Sequence, residues 1–199
     1  MSASARPPSA RRLRTRERLI DAAAMVFARR GIGRASIEEI CEAAGFTRGA
    51  FYSNFADLDE LFLALYTQRA SRAAEQIAGA LREQRESTIP ALVDRVLDAL
   101  TVDRDWLLVR TEYFLHAARD PVAAAVLAAH REAMVETLAP ALAEVVDREA
   151  LPAELRSPRE LARAVVAVHD GTTTELLLDD DPGAHRAWLR ELLLLLLDR

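Results

Sequence analysis

Apolar residues recur at three- and four-residue spacing along most of this chain, the period of helices that bury one face. Leu19, Ile20, Ala23, Val26 and Phe27 form the first such stripe, predicting a helix from about Arg11 that Gly31 can close in the left-handed conformation. Ser36-Ile-Glu-Glu39 has the spacing of a capping box, in which hydroxyl and carboxylate satisfy each other's free amides. Ile37, Ile40, Cys41 and Ala44 then give a short second helix one apolar face, ending at Gly45. Thr47 can cap a third helix only two residues later, which leaves room for nothing but a tight turn. That helix turns Phe51 and Phe55 inward. At about 100° per residue, Gly49, Ala50 and Ser53 lie opposite, Tyr52 and Asn54 on the flanks, and Arg48 at the N-terminal end.

Asp57-Leu-Asp-Glu60 repeats the capping box and opens a long helix through Leu61, Leu65 and Ile77 to about Arg85. Further starts are Thr88 with Pro90, Asp120-Pro121, Ser157-Pro158 with Glu160, and Asp181-Pro182, each setting a capping side chain beside a first-turn proline. They predict helices at 88–102, 104–119, 121–149, 158–178 and 182–198, the third kinked at Pro140. Residues 1–10, with Pro7-Pro8 and small polar residues, read as a disordered, weakly basic arm.

Composition supports an all-α fold: 51% of residues are hydrophobic, but only 6% are aromatic, with 7 Gly and 8 Pro, which starves strands of the residues they use. The formal net charge of -5 argues at first sight against a polyanionic partner. Its distribution reverses that reading, since residues 1–30 hold eight Arg against Glu17 and Asp21. All 26 basic residues are Arg, which fits a coding bias and also supplies planar donors for phosphate. The single Cys41 cannot form an internal disulfide, and no charged-then-apolar leader opens the chain, so the expected compartment is the cytoplasm. The longest apolar run, Leu192–Leu197, is too short to span a bilayer, so no membrane partner is expected.

Two short helices joined at a glycine, the second with a small polar outer face, have the geometry that inserts a recognition helix into a major groove. Geometry alone leaves plain helical packing equally open. Residues 15–65, TRERLIDAAAMVFARRGIGRASIEEICEAAGFTRGAFYSNFADLDELFLAL, resemble the DNA-binding domain of the TetR family of bacterial repressors. Within them SIEEICEAAGFTRGAFYSNF follows the family order: a Ser/Thr cap, an Ile-rich helix, Ala-Gly, Thr/Ser, Lys/Arg, Gly, a small residue, an apolar residue, Tyr and Phe. The resemblance implies an N-terminal three-helix helix-turn-helix DNA-binding domain (11–56, motif 36–55) and a C-terminal helical ligand-binding and dimerisation domain (57–199). By position, Thr47 caps the recognition helix and touches a phosphate, Tyr52 offers its phenol to a phosphate, and Arg48 meets a phosphate or a base edge. Gly49, Ala50 and Ser53 lie nearest the bases, with Asn54 beside them, while Ser36, Arg14 and Arg18 supply further phosphate contacts. Leu58 departs from the pattern, for the family commonly has a backbone-contacting Lys there.

The second half carries two stripes that can line a cavity. Trp106, Val109, Tyr113 and His116 share one helix with Phe114 beside them, and Leu127, His130, Met134 and Thr137 match them on the next. A closed core with satisfied polar tips is the competing expectation. In TetR-like proteins the effector pocket lies among such helices, implying a small apolar or amphipathic ligand. Glu112 with His116, and His169 with Asp170, form no recognisable metal set; no cofactor is implied, and the absence of any catalytic constellation argues against an enzyme. The last two helices are too apolar to face water all round. The resemblance implies that they dimerise through Val168, Gly171, Thr172, Leu176, Trp188, Leu192 and Leu195; burial within one subunit is the alternative. Three functions follow in order: a ligand-released repressor, a ligand-independent regulator or activator whose second domain only dimerises, and a scaffold that has lost DNA affinity.

Overall fold

The computed structural model describes residues 10–82, 88–100, 103–147, 149, 151–178 and 181–197. The expectation for residues 1–9 of the arm lies outside them, and Ala10 already belongs to the first helix. Every regular element among the described residues is helical. In order they are α1 (Ala10–Arg30), α2 (Ile37–Ala44), α3 (Arg48–Tyr52), α4 (Leu58–Arg82), α5 (Ile89–Ala99), α6 (Arg104–Ala117), α7 (Pro121–Val145), α8 (Pro158–Glu175) and α9 (Pro182–Leu197), with 3₁₀ turns at Ile32–Arg34 and Ala153–Leu155.

The chain divides into two units, residues 1–66 and 67–199, and α4 runs through the division. In the first unit α1 packs on α2 and α2 on α3 around Leu19, Ile20, Ala23, Phe27, Ile40, Cys41, Phe51 and Phe55, all buried. Phe62, at the start of α4, meets Phe27 edge-on at 5.5 Å. In the second unit α7 packs on α6 and α8, and α9 on α5 and α8. Ile77, Leu92, Val93, Leu97, Val135, Leu138, Leu161, Val165, Leu189 and Leu193 form the centre of its core. Arg186–Asp98 and Arg190–Asp94, both at 2.7 Å, lace α9 to α5. The hydrogen bond from Arg190 holds the Asp94 carboxyl below its ordinary range.

Local signals account for most boundaries. The Ser36/Glu39 box is present, with both amide bonds at 3.2 Å. Asp57 caps Glu60 at 2.8 Å, but the returning Glu60 carboxylate accepts from Ala56 rather than from Asp57. Asp120 and Asp181 cap α7 and α9. Ser157 makes no capping bond, so Pro158 in the first turn, rather than the hydroxyl, marks the start of α8. Gly31 has φ 76° but ψ 153°: the positive φ is as expected, yet the chain enters a 3₁₀ turn instead of a left-handed cap. Helix α7 continues through Pro140 and stops at Val145, four residues short of the predicted end, and α8 stops three residues early at Glu175.

Candidate nucleic-acid interface

The turn between α2 and α3 is built from backbone hydrogen bonds. Gly45 sits at φ 70°, ψ 37°, its amide bonding to Glu42 O, while the Phe46 amide reaches back to Cys41 O at 2.9 Å. This double closure needs a left-handed residue, which glycine supplies without a Cβ penalty. The Thr47 hydroxyl then accepts from the Ala50 amide at 3.3 Å and starts α3. Phe51 and Phe55 are buried with their rings tilted against each other at 5.8 Å, anchoring the helix by one face and presenting the other.

On the presented face Thr47, Arg48, Gly49, Tyr52 and Ser53 are exposed and Ala50 half-buried. A methyl built on Gly49 would meet Thr47 Oγ1, at 3.7 Å, an ordinary contact, so no described residue requires glycine there. The Ser53 hydroxyl donates to Ala50 O at 2.9 Å. Arg48 is strung between two partners: Nη1 lies 2.7 Å from Glu38 Oε1 on α2, and Nη2 donates to the Tyr52 hydroxyl at 3.4 Å. Arg14 is exposed on α1, and the Ser36 hydroxyl is engaged with Glu39.

Two of the expected residues already have partners within the domain. Asn54 is buried, its amide donating to Ala50 O at 2.8 Å and to Ser53 Oγ, because the chain leaving α3 turns that flank into the domain. Arg18 also has a different occupation. Its Nη2 donates to the terminal Ala44 carbonyl of α2 at 2.8 Å, and the guanidinium lies 4.8 Å over the Phe46 ring. Arg16, which the pattern did not single out, does the same for the end of α3, donating to Asn54 O at 2.8 Å and covering Phe55 at 4.1 Å. Helix α1 thus clamps the C-terminal ends of both α2 and the α3 segment. Nothing in local spacing signals this, since the partners lie 26 and 38 residues away.

In the second unit the expected lining residues of α6 and α7 divide by depth. Val109 and Tyr113 are fully buried; Trp106, Phe114, His116, Leu127, His130, Met134 and Thr137 are half-buried. Polar tips turn back on carbonyls: the Tyr113 hydroxyl to Ala123 at 3.4 Å, the His130 ring to Val126 at 2.8 Å, the Thr137 hydroxyl to Ala133 at 2.8 Å. Burial, aided by Asp120, pushes the Tyr113 phenol up to about 12. A cavity of ≈ 20 Å³ lies elsewhere, walled by apolar residues including Leu92, Val96, Leu138 and Leu193, and none of the expected residues borders it. Beside the stripe is a charged network that the sequence did not reveal. Arg110 reaches Asp170 at 3.2 Å and the Thr173 hydroxyl at 2.9 Å, and Arg131 reaches the other Asp170 oxygen at 3.3 Å. Burial raises the Asp170 carboxyl, but His169, Arg110 and Arg131 outweigh it and hold the group below its ordinary range.

Of the residues expected at a dimer interface, Gly171, Trp188 and Leu195 are exposed and Leu192 is half-buried. Thr172 and Leu176 are buried within the protomer, and the Thr172 hydroxyl donates to Val168 O at 2.8 Å. Val168 packs against the unit's own core.

A helical domain that displays a short, glycine-bearing helix over a tight turn has the form of a helix-turn-helix module, an arrangement used to read duplex DNA. Residues 19–65 match the family described as bacterial regulatory proteins, tetR family, and residues 84–198 match the BetI-type transcriptional repressor C-terminal family. The chain is 32% identical to the transcriptional regulator TtgR of Pseudomonas putida over 84% of its own length and 82% of the relative's. It is 30% identical to the repressor AcnR of Corynebacterium glutamicum over 67% of each. The solved structure of FadR from Bacillus subtilis in complex with stearoyl-CoA superposes with a TM-score of 0.71 at 18% identity, covering 92% of this chain and 97% of that one. The protein belongs to the TetR family of bacterial transcriptional regulators. Among the described residues, no group of three or more His, Cys, Asp or Glu could hold a metal ion, and no helix is long and apolar enough to cross a membrane.

Proposed function

We propose that this protein is a cytoplasmic repressor that binds a palindromic operator as a homodimer through α3 and is released by a small effector. The supporting observation is the exposed Thr47–Ser53 face, where a glycine with room for a methyl stands beside Arg48 and Tyr52. One recognition helix per chain reads one half-site, so two copies spaced about 34 Å apart read a palindrome. Exposed Trp188 and Leu195, on a helix that also carries exposed Ala184 and Ala187, are apolar surface suited to a second copy. The half-buried α6–α7 stripe is the proposed effector site. The FadR neighbour's stearoyl-CoA is an amphipathic molecule of the class that such a stripe suits. A coupling of roughly 1–3 kcal/mol suffices to weaken operator binding five- to 150-fold.

Complete burial of Val109 and Tyr113 favours a second reading, a ligand-independent regulator whose C-terminal unit only dimerises. Anisotropy titrations on the protein's own upstream region test the DNA assignment, with Arg48→Ala/Tyr52→Ala expected to bind at least tenfold more weakly. Full affinity of that variant at physiological salt refutes it. Release of wild-type protein by an acyl-CoA or another amphipath separates the two readings.

A further inference from the structure

We infer that Glu38 is a positioning residue that keeps Arg48 from swinging to a phosphate and commits it to a base edge. The inference rests on the reading that α3 enters a DNA groove. An exposed carboxylate, Glu38, stands on the surface proposed to meet a polyanion. The neighbouring Glu39 is explained by its capping bonds to Ser36 and by its ion pair with Arg30 at 3.0 Å. Among the described residues Glu38 has no such capping role; it pairs instead with Arg48, at 2.7 Å across the turn. Both side chains are more than half exposed, at 58% and 59%, so the pair sits in solvent on the presented side of the motif.

A lone arginine on that surface is drawn to the nearest phosphate, a contact that carries no sequence information. Pairing with Glu38 offsets its charge and weakens that attraction, while leaving its hydrogen-bonding capacity. Of the five guanidinium N–H groups, one points to Glu38 and one to the Tyr52 hydroxyl, which leaves donors for a guanine O6/N7 edge. The two partners, one on α2 and one a turn further along α3, bias the side chain toward one orientation between them. The ligand feature selected is therefore one guanine per half-site.

The test compares wild type, Glu38→Gln, Glu38→Asp and Arg48→Ala on a duplex that the wild type selects from a random library, and on a scrambled duplex. Glu38→Gln is expected to bind the scrambled duplex more tightly, with a log–log salt slope steeper by about 0.9 as one arginine is freed for phosphate. Repeating the selection with Glu38→Gln should lose roughly tenfold of the preference at one base pair per half-site, the same position at which Arg48→Ala loses it. Glu38→Asp should recover part of that preference. A merely stabilising Glu38, favourable in the first turn of α2, would lower Tm on substitution and leave slope and base preference unchanged, which overturns the inference. Equal tightening on both duplexes also overturns it. Failure of the wild type to select any duplex would instead remove the DNA reading itself, and this inference with it.

Discussion

Gly49→Ala separates a glycine kept for the fold from one kept for a partner. A methyl at this position would touch Thr47 Oγ1 at 3.7 Å, an ordinary contact, and the backbone there has no positive φ. The folded chain should accept alanine and gain from it. Glycine in a helix costs about 0.5–1 kcal/mol relative to alanine, and the early position of Gly49 in α3 puts the gain at the low end. In a chain of this size that amounts to a rise of roughly 1–3 °C in Tm. If the α3 backbone approaches DNA closely, the same methyl must displace it, and operator binding should weaken by about tenfold, or ~1.4 kcal/mol. Differential scanning fluorimetry and fluorescence anisotropy on one preparation measure both effects. A variant that is more stable and binds as tightly as wild type would refute the close approach. One that is less stable would show that the methyl meets something within the chain.

Arg18→Ala removes a charge-assisted bond to the Ala44 carbonyl and the cover over Phe46, so it should destabilise the first unit by about 1–3 kcal/mol and speed amide exchange around Gly45. A residue serving phosphates alone would leave Tm unchanged. Burial pushes the His185 ring below its ordinary value, so as pH falls the unfolded chain takes up the proton first. Stability from this group is complete above pH ~6.5 and is lost as pH drops through that value toward the lower folded one; His185→Gln should flatten the Tm profile there, and an unchanged profile removes the assignment. Leu195→Glu places a charge on the exposed α9 face and should shift sedimentation from dimer to monomer, weakening operator binding in parallel. A variant that remains dimeric would move the interface elsewhere.

The elements legible in the sequence were those punctuated locally. A capping box, a glycine at a helix end and a proline in a first turn act over four or five residues, so the positions of α2, α3, α7 and α9 could be read from spacing alone. Asp103 caps α6 by accepting from the Asp105 amide at 3.0 Å, but with no proline or distant Glu to mark it, that start is legible only through the apolar stripe. Arginine resisted interpretation most. Its long apolar stem and charged tip serve a phosphate, a carbonyl or an aromatic ring equally well, and periodicity cannot choose between them. Arg16 and Arg18 brace main-chain carbonyls, while Arg110 and Arg131 form a charged network beside the expected lining. On α8, Thr172 and Gly171 are adjacent in sequence yet differ in burial, a distinction that composition does not carry.

The two arginine braces of α1 grip main-chain oxygens, at Ala44 and Asn54, and main-chain oxygens are the same whatever side chains are attached. The orientation of the probe is thereby uncoupled from the letters written on it. Mutation can revise Arg48, Ala50 or Ser53 and redirect the protein to a new target without loosening the mount that aims them, a division of labour that lets a regulator change its address while keeping its frame.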